Sequence, residues 1–338
     1  WSEKHMKISK IKNVLILGGD EITLGILPLI KKHFNYLILS SKRNLSTIVN
    51  GKTLEKHFKE NYINFKRINN LENSLDFIKK FNSKDSIYLC MSSPWIIKRK
   101  NIMKTKSLIL NSHGTRLPEY RGGASFSWMV MNRVRFGFNN LYIIDEKIDT
   151  GRIIFYDEFL YPYDLNSPKA YFDYYAQKQT NFLKLQFLKF KDGISSVSPL
   201  NQTEYMSSYF PRINSDLHGW VDWSMNYEDL SFFINSFGIP HEGCCTYYNN
   251  MKVYLKKVSP NYEDAKFNSY KSGLIYRKGP SWVCVAGTNG SLIIEEVFHK
   301  NRNIIQQLKI GDRFHTPLKK IDNKSKRAFY DTKGLVKN

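Results

Sequence analysis

The sequence predicts an α/β fold, in which an open, parallel-stranded sheet flanked by helices is followed by a smaller, mostly β domain. Three observations predict it. Lys12 to Gly19 (KNVLILGG) is an apolar run of strand length ending in paired glycines, followed by a helix-like stretch from about Ile22 to His33 and a second apolar run, Tyr36 to Ser41. That order is a βαβ unit, and its crossover is right-handed. Ser107 to Leu110 is short, apolar and β-prone, as a buried strand is. After Gly238-Ile239-Pro240 the texture changes to short β-prone segments joined at Asn249-Asn250 and Thr288-Asn289-Gly290, the turn chemistry of a small antiparallel barrel or sandwich.

Bulk properties bound the reading. At 338 residues, 42% hydrophobic and 14% aromatic, the chain buries a full core and divides naturally into two domains. The expected limits are 11–205 for the first and 206–338 for the second. Residues 1–10 are charged and unlike a secretion signal; with Trp1 leading and Met6 the expected native start, they are predicted to be disordered or vector-derived. No apolar run approaches the ~20 residues of a membrane span. Cys90, Cys244, Cys245 and Cys284 form no CxxC pair and no zinc spacing, which predicts buried thiols in a reducing, cytoplasmic setting and no metal. The formal charge of +21 is spread along most of the chain. The Lys, Asn and Ile bias of an AT-rich genome accounts for it as well as an anionic small ligand does; dedicated RNA binding ranks third.

In chain order, Gly18-Gly19…Gly25 is not the dinucleotide fingerprint, and the paired glycines predict only a tight turn. Leu71 to Phe81 reads as an amphipathic helix and Ser86 to Met91 as a strand, ending in the apolar loop Pro94-Trp95-Ile96-Ile97. On the next strand the period of two turns Asn111 and His113 to one side, at the C-terminal edge where ligands collect in open α/β sheets. Gly114, Pro118, Gly122 and Gly123 keep the following segment irregular. Ala124 to Asn132 reads as a helix whose start, with Arg121 beside it, either holds an anion or is simply near an arginine that ties the loop to carbonyls. Leu141 to Ile144 is a strand, the loop from Asp145 to Asp149 returns to the site, and Gly151 to Phe159 is a strand again. Ser167-Pro168 then opens a long helix running to about Lys189 and ending near Gly193. A short helix, Tyr227 to Phe237, precedes the terminal strands.

The motifs Asn111-x-His113, Leu117-Pro118-x-Tyr120-Arg121-Gly122 and Ile148-Asp149-Thr150-Gly151 together resemble the folate-dependent formyltransferases. The resemblance implies a Rossmann-like catalytic domain, 10-formyltetrahydrofolate as the one-carbon donor, and a triad of Asn111, His113 and Asp149. It further implies folate contacts from Pro94, Trp95, Ile96 and Ile97, with Asp145 and Lys147 on the returning loop. Two departures from the family pattern stand out: Gly114-Thr115-Arg116 replaces Pro-Ser-Leu, and Tyr142 occupies a position where a histidine often stands. Tyr120 to Trp128 and Gly311 to Pro317 look most like bacterial nucleotide-sugar N-formyltransferases. That implies dTDP-4-amino-4,6-dideoxyglucose as acceptor, in surface-polysaccharide (O-antigen) synthesis, with Arg116, Tyr120, Arg121 and Trp128 as substrate contacts and a homodimer formed through the C-terminal part. Methionyl-tRNA formyltransferase is the alternative, with the basic residues between Lys42 and Lys59 and those of the C-terminal tail following RNA. A hydrolytic or inert folate-binding relative is the second.

The chemistry suits the residue types. Attack of an amine on a formyl carbon makes an anionic tetrahedral intermediate, to which a neutral carboxamide donates without titrating. An imidazole relays the proton that the amine loses, and a carboxylate orients the imidazole or accepts through water.

Overall fold

The computed structural model describes residues 5–71, 79–331 and 334–336. Its first sheet has seven strands in the order Ile153–Leu160, Phe136–Ile143, Leu108–His113, Ser86–Met91, Asn13–Gly18, Asn35–Ser40, Phe65–Arg67. The last five are mutually parallel; the pair that flanks the Asp149 loop is antiparallel. Residues of Asn13–Gly18 explain why the centre is parallel and covered on both sides. Val14 and Ile16 pack with Ile26 and Ile30 on one face, while Leu15 and Leu17 pack with Tyr88 and Ile109 on the other.

The helix Glu21–His33 starts where its sequence says it can. The Asp20 side chain accepts from Thr23 N at 3.0 Å, and Thr23 Oγ1 accepts from Asp20 N at 3.2 Å, a reciprocal cap that satisfies two otherwise free amides. Pro168–Asp192 begins after Ser167, whose hydroxyl accepts from Ala170 N at 3.3 Å, and ends at Gly193, as its sequence predicts. It lies against Glu21–His33 and buries Phe182, Leu183, Phe187 and Phe190.

Two expectations change. Met6–Ile8 is a strand, paired antiparallel with Ile194–Val197, so the disorder predicted for residues 1–10 does not hold there; Ile8 is buried and ties this segment to the core. The strand expected at Leu141 begins at Phe136, because its first half pairs with Ile153–Leu160. The helix predicted over Leu71 to Phe81 falls mostly outside the described residues.

The second sheet is antiparallel and runs Ile275–Lys278, Val283–Gly287, Gly290–His299, Met251–Asn261, Cys244–Tyr248, Phe314–His315, with Arg302–Asn303 beside Gly290–His299. It curls until its ends meet: Ile275 N donates to Asp312 O and Phe314 N to Gly273 O, both at 2.9 Å. Asn249 and Asn250 take φ of 45° and 63° at the tight turn, a conformation asparagine tolerates better than most residues. The helix Tyr227–Ser236 packs on this sheet through Leu230 and Ile234. A second core forms around Val253, Leu255, Val285, Leu292 and Ile294, separate from the first but reached by Trp128 and Met131.

Candidate active site

Asn111 stands opposite Tyr142 in the antiparallel ladder and opposite Cys90 in the parallel one, at the C-terminal edge of the parallel strands. Residues directly opposite on neighbouring strands share a face, so the Asn111 and Tyr142 side chains meet. Asn111 Nδ2 donates to the Tyr142 hydroxyl at 2.9 Å, and that hydroxyl donates to Asp149 Oδ1 at 2.6 Å. The other carboxylate oxygen, Oδ2, accepts from Gly122 N at 2.8 Å and lies 4.0 Å from His113 Nδ1. The three predicted residues are therefore one connected group. His113 and Asp149 are each 9% exposed and Tyr142 4%, so little water screens their charges.

The imidazole's other nitrogen decides its tautomer. His113 Nε2 is 2.9 Å from the Tyr120 carbonyl oxygen and 2.7 Å from Thr115 Oγ1, which itself donates to that carbonyl at 3.0 Å. A carbonyl only accepts, so Nε2 carries a hydrogen and Nδ1 is the nitrogen left facing Asp149 for proton transfer. Burial, with the Asp149 charge beside it, pushes the Tyr142 phenol well above its ordinary value, which keeps it a donor.

Asp149 adopts a left-handed φ of 56°, which its surroundings hold in place. Gln202 Nε2 donates to the Asp149 carbonyl at 2.9 Å and to the Gly151 carbonyl at 2.8 Å, while Gln202 Oε1 accepts from Arg121 Nε at 3.0 Å. Arg121 Nη1 pairs with Glu204 at 2.8 Å. Gly122 has φ of 104°, and a β-carbon there would run into the Phe210 carbonyl oxygen, so only glycine lets its amide reach Asp149.

Residues 215–312 match the family model described as formyl transferase, C-terminal domain. The methionyl-tRNA formyltransferase of Agathobacter rectalis is 24% identical over 226 residues, 66% of this chain and 69% of that protein. The bifunctional polymyxin resistance protein ArnA of Wigglesworthia glossinidia brevipalpis is 24% identical over 278 residues, 80% of this chain and 39% of that one. The solved structure of WlaRD, a sugar 3N-formyl transferase in the presence of dTDP and 5-N-formyl-THF, superposes with a TM-score of 0.64 at 22% identity, covering 87% of this chain and 99% of its own. Residues 215–312 thus carry a formyl transferase C-terminal domain, and the chain is similar over most of its length to formyltransferases. An N-formyltransferase from Helicobacter canadensis, solved with folinic acid and dTDP-3-aminofucose, has a TM-score of 0.65 at 19% identity over 85% of this chain and 100% of its own; at such identity the likeness is one of fold.

The remaining expected site residues divide by what their side chains already do. In the loop after Ser86–Met91, Ile96 stands 73% exposed, Trp95 donates its indole N–H to the Asn69 carbonyl at 3.1 Å, Pro94 is half-buried, and Ile97 is taken up by the core. Asp145 accepts from Thr150 Oγ1 at 2.6 Å and from Lys147 N at 3.2 Å, which shapes the returning loop. Arg121, open in the sequence between an anion and a tie to backbone carbonyls, bonds instead the side chains of Gln202 and Glu204. Tyr120 stacks on Phe210 with centroids 4.7 Å apart, Trp128 donates to the Pro211 carbonyl at 2.9 Å, and Arg116 pairs with Glu119 at 3.1 Å. Tyr120 and Trp128 thus lie against Phe210 and Pro211. The helix behind Arg121, Ser125–Met131, is seven residues long and has no side-chain cap, too short to make the anion site its sequence suggested. Thr115 and Gln202 were not singled out in the sequence as functional, and Tyr142 only as a departure from the family pattern. Its sole signal was that substitution, seven residues before Asp149. Among the described residues no His, Cys, Asp or Glu cluster is arranged to hold a metal, and no helix is long and apolar enough to cross a membrane.

Proposed function

We propose that the chain transfers the formyl group of 10-formyltetrahydrofolate to the amino group of a nucleotide-linked amino sugar, with dTDP-4-amino-4,6-dideoxyglucose the first acceptor to test. The observation that carries this reading is the connected group Asn111, Tyr142, Asp149 and His113, open at His113 Nδ1 and at the second Asn111 N–H. The amine nitrogen attacks the formyl carbon, whose oxygen becomes an alkoxide receiving the free N–H of Asn111. His113 Nδ1 takes the proton that the amine loses and returns it to the folate nitrogen as the carbon–nitrogen bond breaks; Asp149 steadies the charged imidazolium between the two transfers. The exposed Ile96 and the adjoining Trp95 give the folate ring an apolar wall beside the strand ends.

The sugar acceptor is supported by likeness to structures solved with dTDP or dTDP-3-aminofucose. Methionyl-tRNA is the second reading, favoured by the names of the curated sequence relatives. A homodimer and a cytoplasmic place in surface-polysaccharide synthesis complete the proposal. The test is incubation with 10-formyltetrahydrofolate and a panel of dTDP- and UDP-amino sugars beside methionyl-tRNA, reading product mass. A formylated sugar supports the first reading, formylmethionyl-tRNA alone replaces it with the second, and free formate alone makes the chain a hydrolase.

A further inference from the structure

We infer that Tyr142 is a positioning residue of this site: its hydroxyl decides which way the Asn111 carboxamide points, and so presents an N–H, not the amide oxygen, to the reacting carbonyl. The inference rests on the formyl-transfer reading above and assigns a task to a residue that no comparison assigns.

A phenol has one proton to give. The Tyr142 oxygen is 2.6 Å from Asp149 Oδ1, a carboxylate oxygen that can only accept, so the proton lies on that line. What remains on the phenol oxygen is lone pair. The group 2.9 Å away must therefore donate, and in the Asn111 side chain only Nδ2 can. With the amide turned over, Asn111 Oδ1 would face those lone pairs with no hydrogen between them, in a place where Tyr142 is 4% exposed and water cannot intervene. Gly122 N closes the arrangement from the far side by holding Asp149 Oδ2 at 2.8 Å, so the carboxylate cannot swing away to release the phenol. One chain of donors thus runs from Asn111 through Tyr142 to Asp149, each bond fixing the sense of the one before it.

Without the hydroxyl, nothing named here distinguishes the two amide orientations, and the wrong one sets an oxygen against the developing oxyanion. The cost falls on the transition state and not on substrate binding. The experiment compares steady-state kinetics of the wild type, Tyr142→Phe, Asn111→Ala and the double variant, with circular dichroism and thermal melts of each. Tyr142→Phe is expected to lower kcat by roughly 10- to 100-fold while KM for the folate and the amine stays within about twofold. Because most of the effect acts through Asn111, adding Tyr142→Phe to Asn111→Ala is expected to cost several-fold less in kcat than it does on the wild type, the remainder being the lost bond to Asp149. A side chain that merely filled space would cost the same factor on both backgrounds. Wild-type kcat in Tyr142→Phe, the full loss repeated on Asn111→Ala, or a loss carried in KM alone overturns the inference and leaves formyl transfer standing. A wild-type chain that formylates no tested amine overturns the functional reading, and the inference falls with it.

Discussion

Asn111, His113 and Asp149 differ in how much of their bonding capacity the protein already uses. Asn111 retains one N–H, His113 retains Nδ1, and Asp149 has an oxygen bonded on each side, which makes it the fixed point of the three. On the proposed reading Asn111→Ala removes the oxyanion donor, and it is expected to lower kcat by ~10²–10³-fold with little change in melting temperature. Single-turnover formylation, run beside circular dichroism, measures it; wild-type turnover would remove Asn111 from the chemistry. That Asn111, His113 and Asp149 come together was legible because strand alternation turns Asn111 and His113 to one side and because the motifs between them and Asp149 resemble a family. Tyr142 and Gln202 were not. The pairing of Tyr142 with Asn111 depends on which strands become neighbours and in what register, and Gln202 reaches the Asp149 carbonyl from 53 residues further along the chain. Neither fact is local in sequence. Arg121 was ambiguous for the same reason: its partners, Gln202 and Glu204, lie about eighty residues further on.

At the scale of elements, turns and caps carry two predictions. Arg121–Gly122 pairs in parallel with Tyr209–Phe210, and Gly122 combines a left-handed φ with no room for a β-carbon. Gly122→Ala is expected to destabilise by more than ~1 kcal/mol and to lower turnover as well, because it displaces the amide that holds Asp149. Urea unfolding and kcat read the two effects, and an alanine variant with native midpoint and rate would contradict the geometry. Asp20, which caps Glu21–His33, is buried beside Ser92, and burial raises its pKa despite the hydrogen bonds that oppose it. An acid raised in the folded state is protonated more readily folded than unfolded. Its contribution is therefore fully present below the unfolded value of about 3.9 and is lost as pH rises through the folded pKa. Asp20→Asn keeps a capping oxygen without the charge, so it is expected to flatten that fall and to raise the melting temperature at neutral pH; an unchanged slope of melting temperature against pH would refute this. Short elements show where sequence legibility ends. The Asn249-Asn250 hairpin is written in turn residues, whereas the three residues Met6–Ile8 carry no periodicity and become a strand only because Ile194–Val197 lies alongside.

For the whole molecule the question is what the +21 charge meets. The stretch between Lys42 and Lys59, the candidate to follow RNA, is partly neutralised from within: Lys52 pairs with Glu60 at 2.8 Å and Lys59 with Glu55 at 2.7 Å. These pairs are exposed and weak, yet they leave less charge for phosphates. Glu204 is bound to Arg121 at the site, and between residues 201 and 250 Arg212 is the sole Lys or Arg against six acidic residues. Five of the six are themselves ion-paired, Glu204 with Arg121, Asp216 with Lys252, Asp222 with Lys324, and Glu228 and Asp229 with Arg133, so neither sign of charge decides the partner; a polyanion needs many phosphate contacts, whereas a diphosphate needs only a few. Salt separates the two. A chain making 6–10 phosphate contacts loses ~10³–10⁵-fold in affinity between about 50 and 200 mM salt, while two contacts lose about tenfold or less. The expectation is that KM for the amino-sugar nucleotide rises by no more than about tenfold over that range while kcat holds. An acceptor KM that climbs by ~10³-fold or more would mean that the charge serves a nucleic acid, and the acceptor would then be sought among aminoacyl-tRNAs.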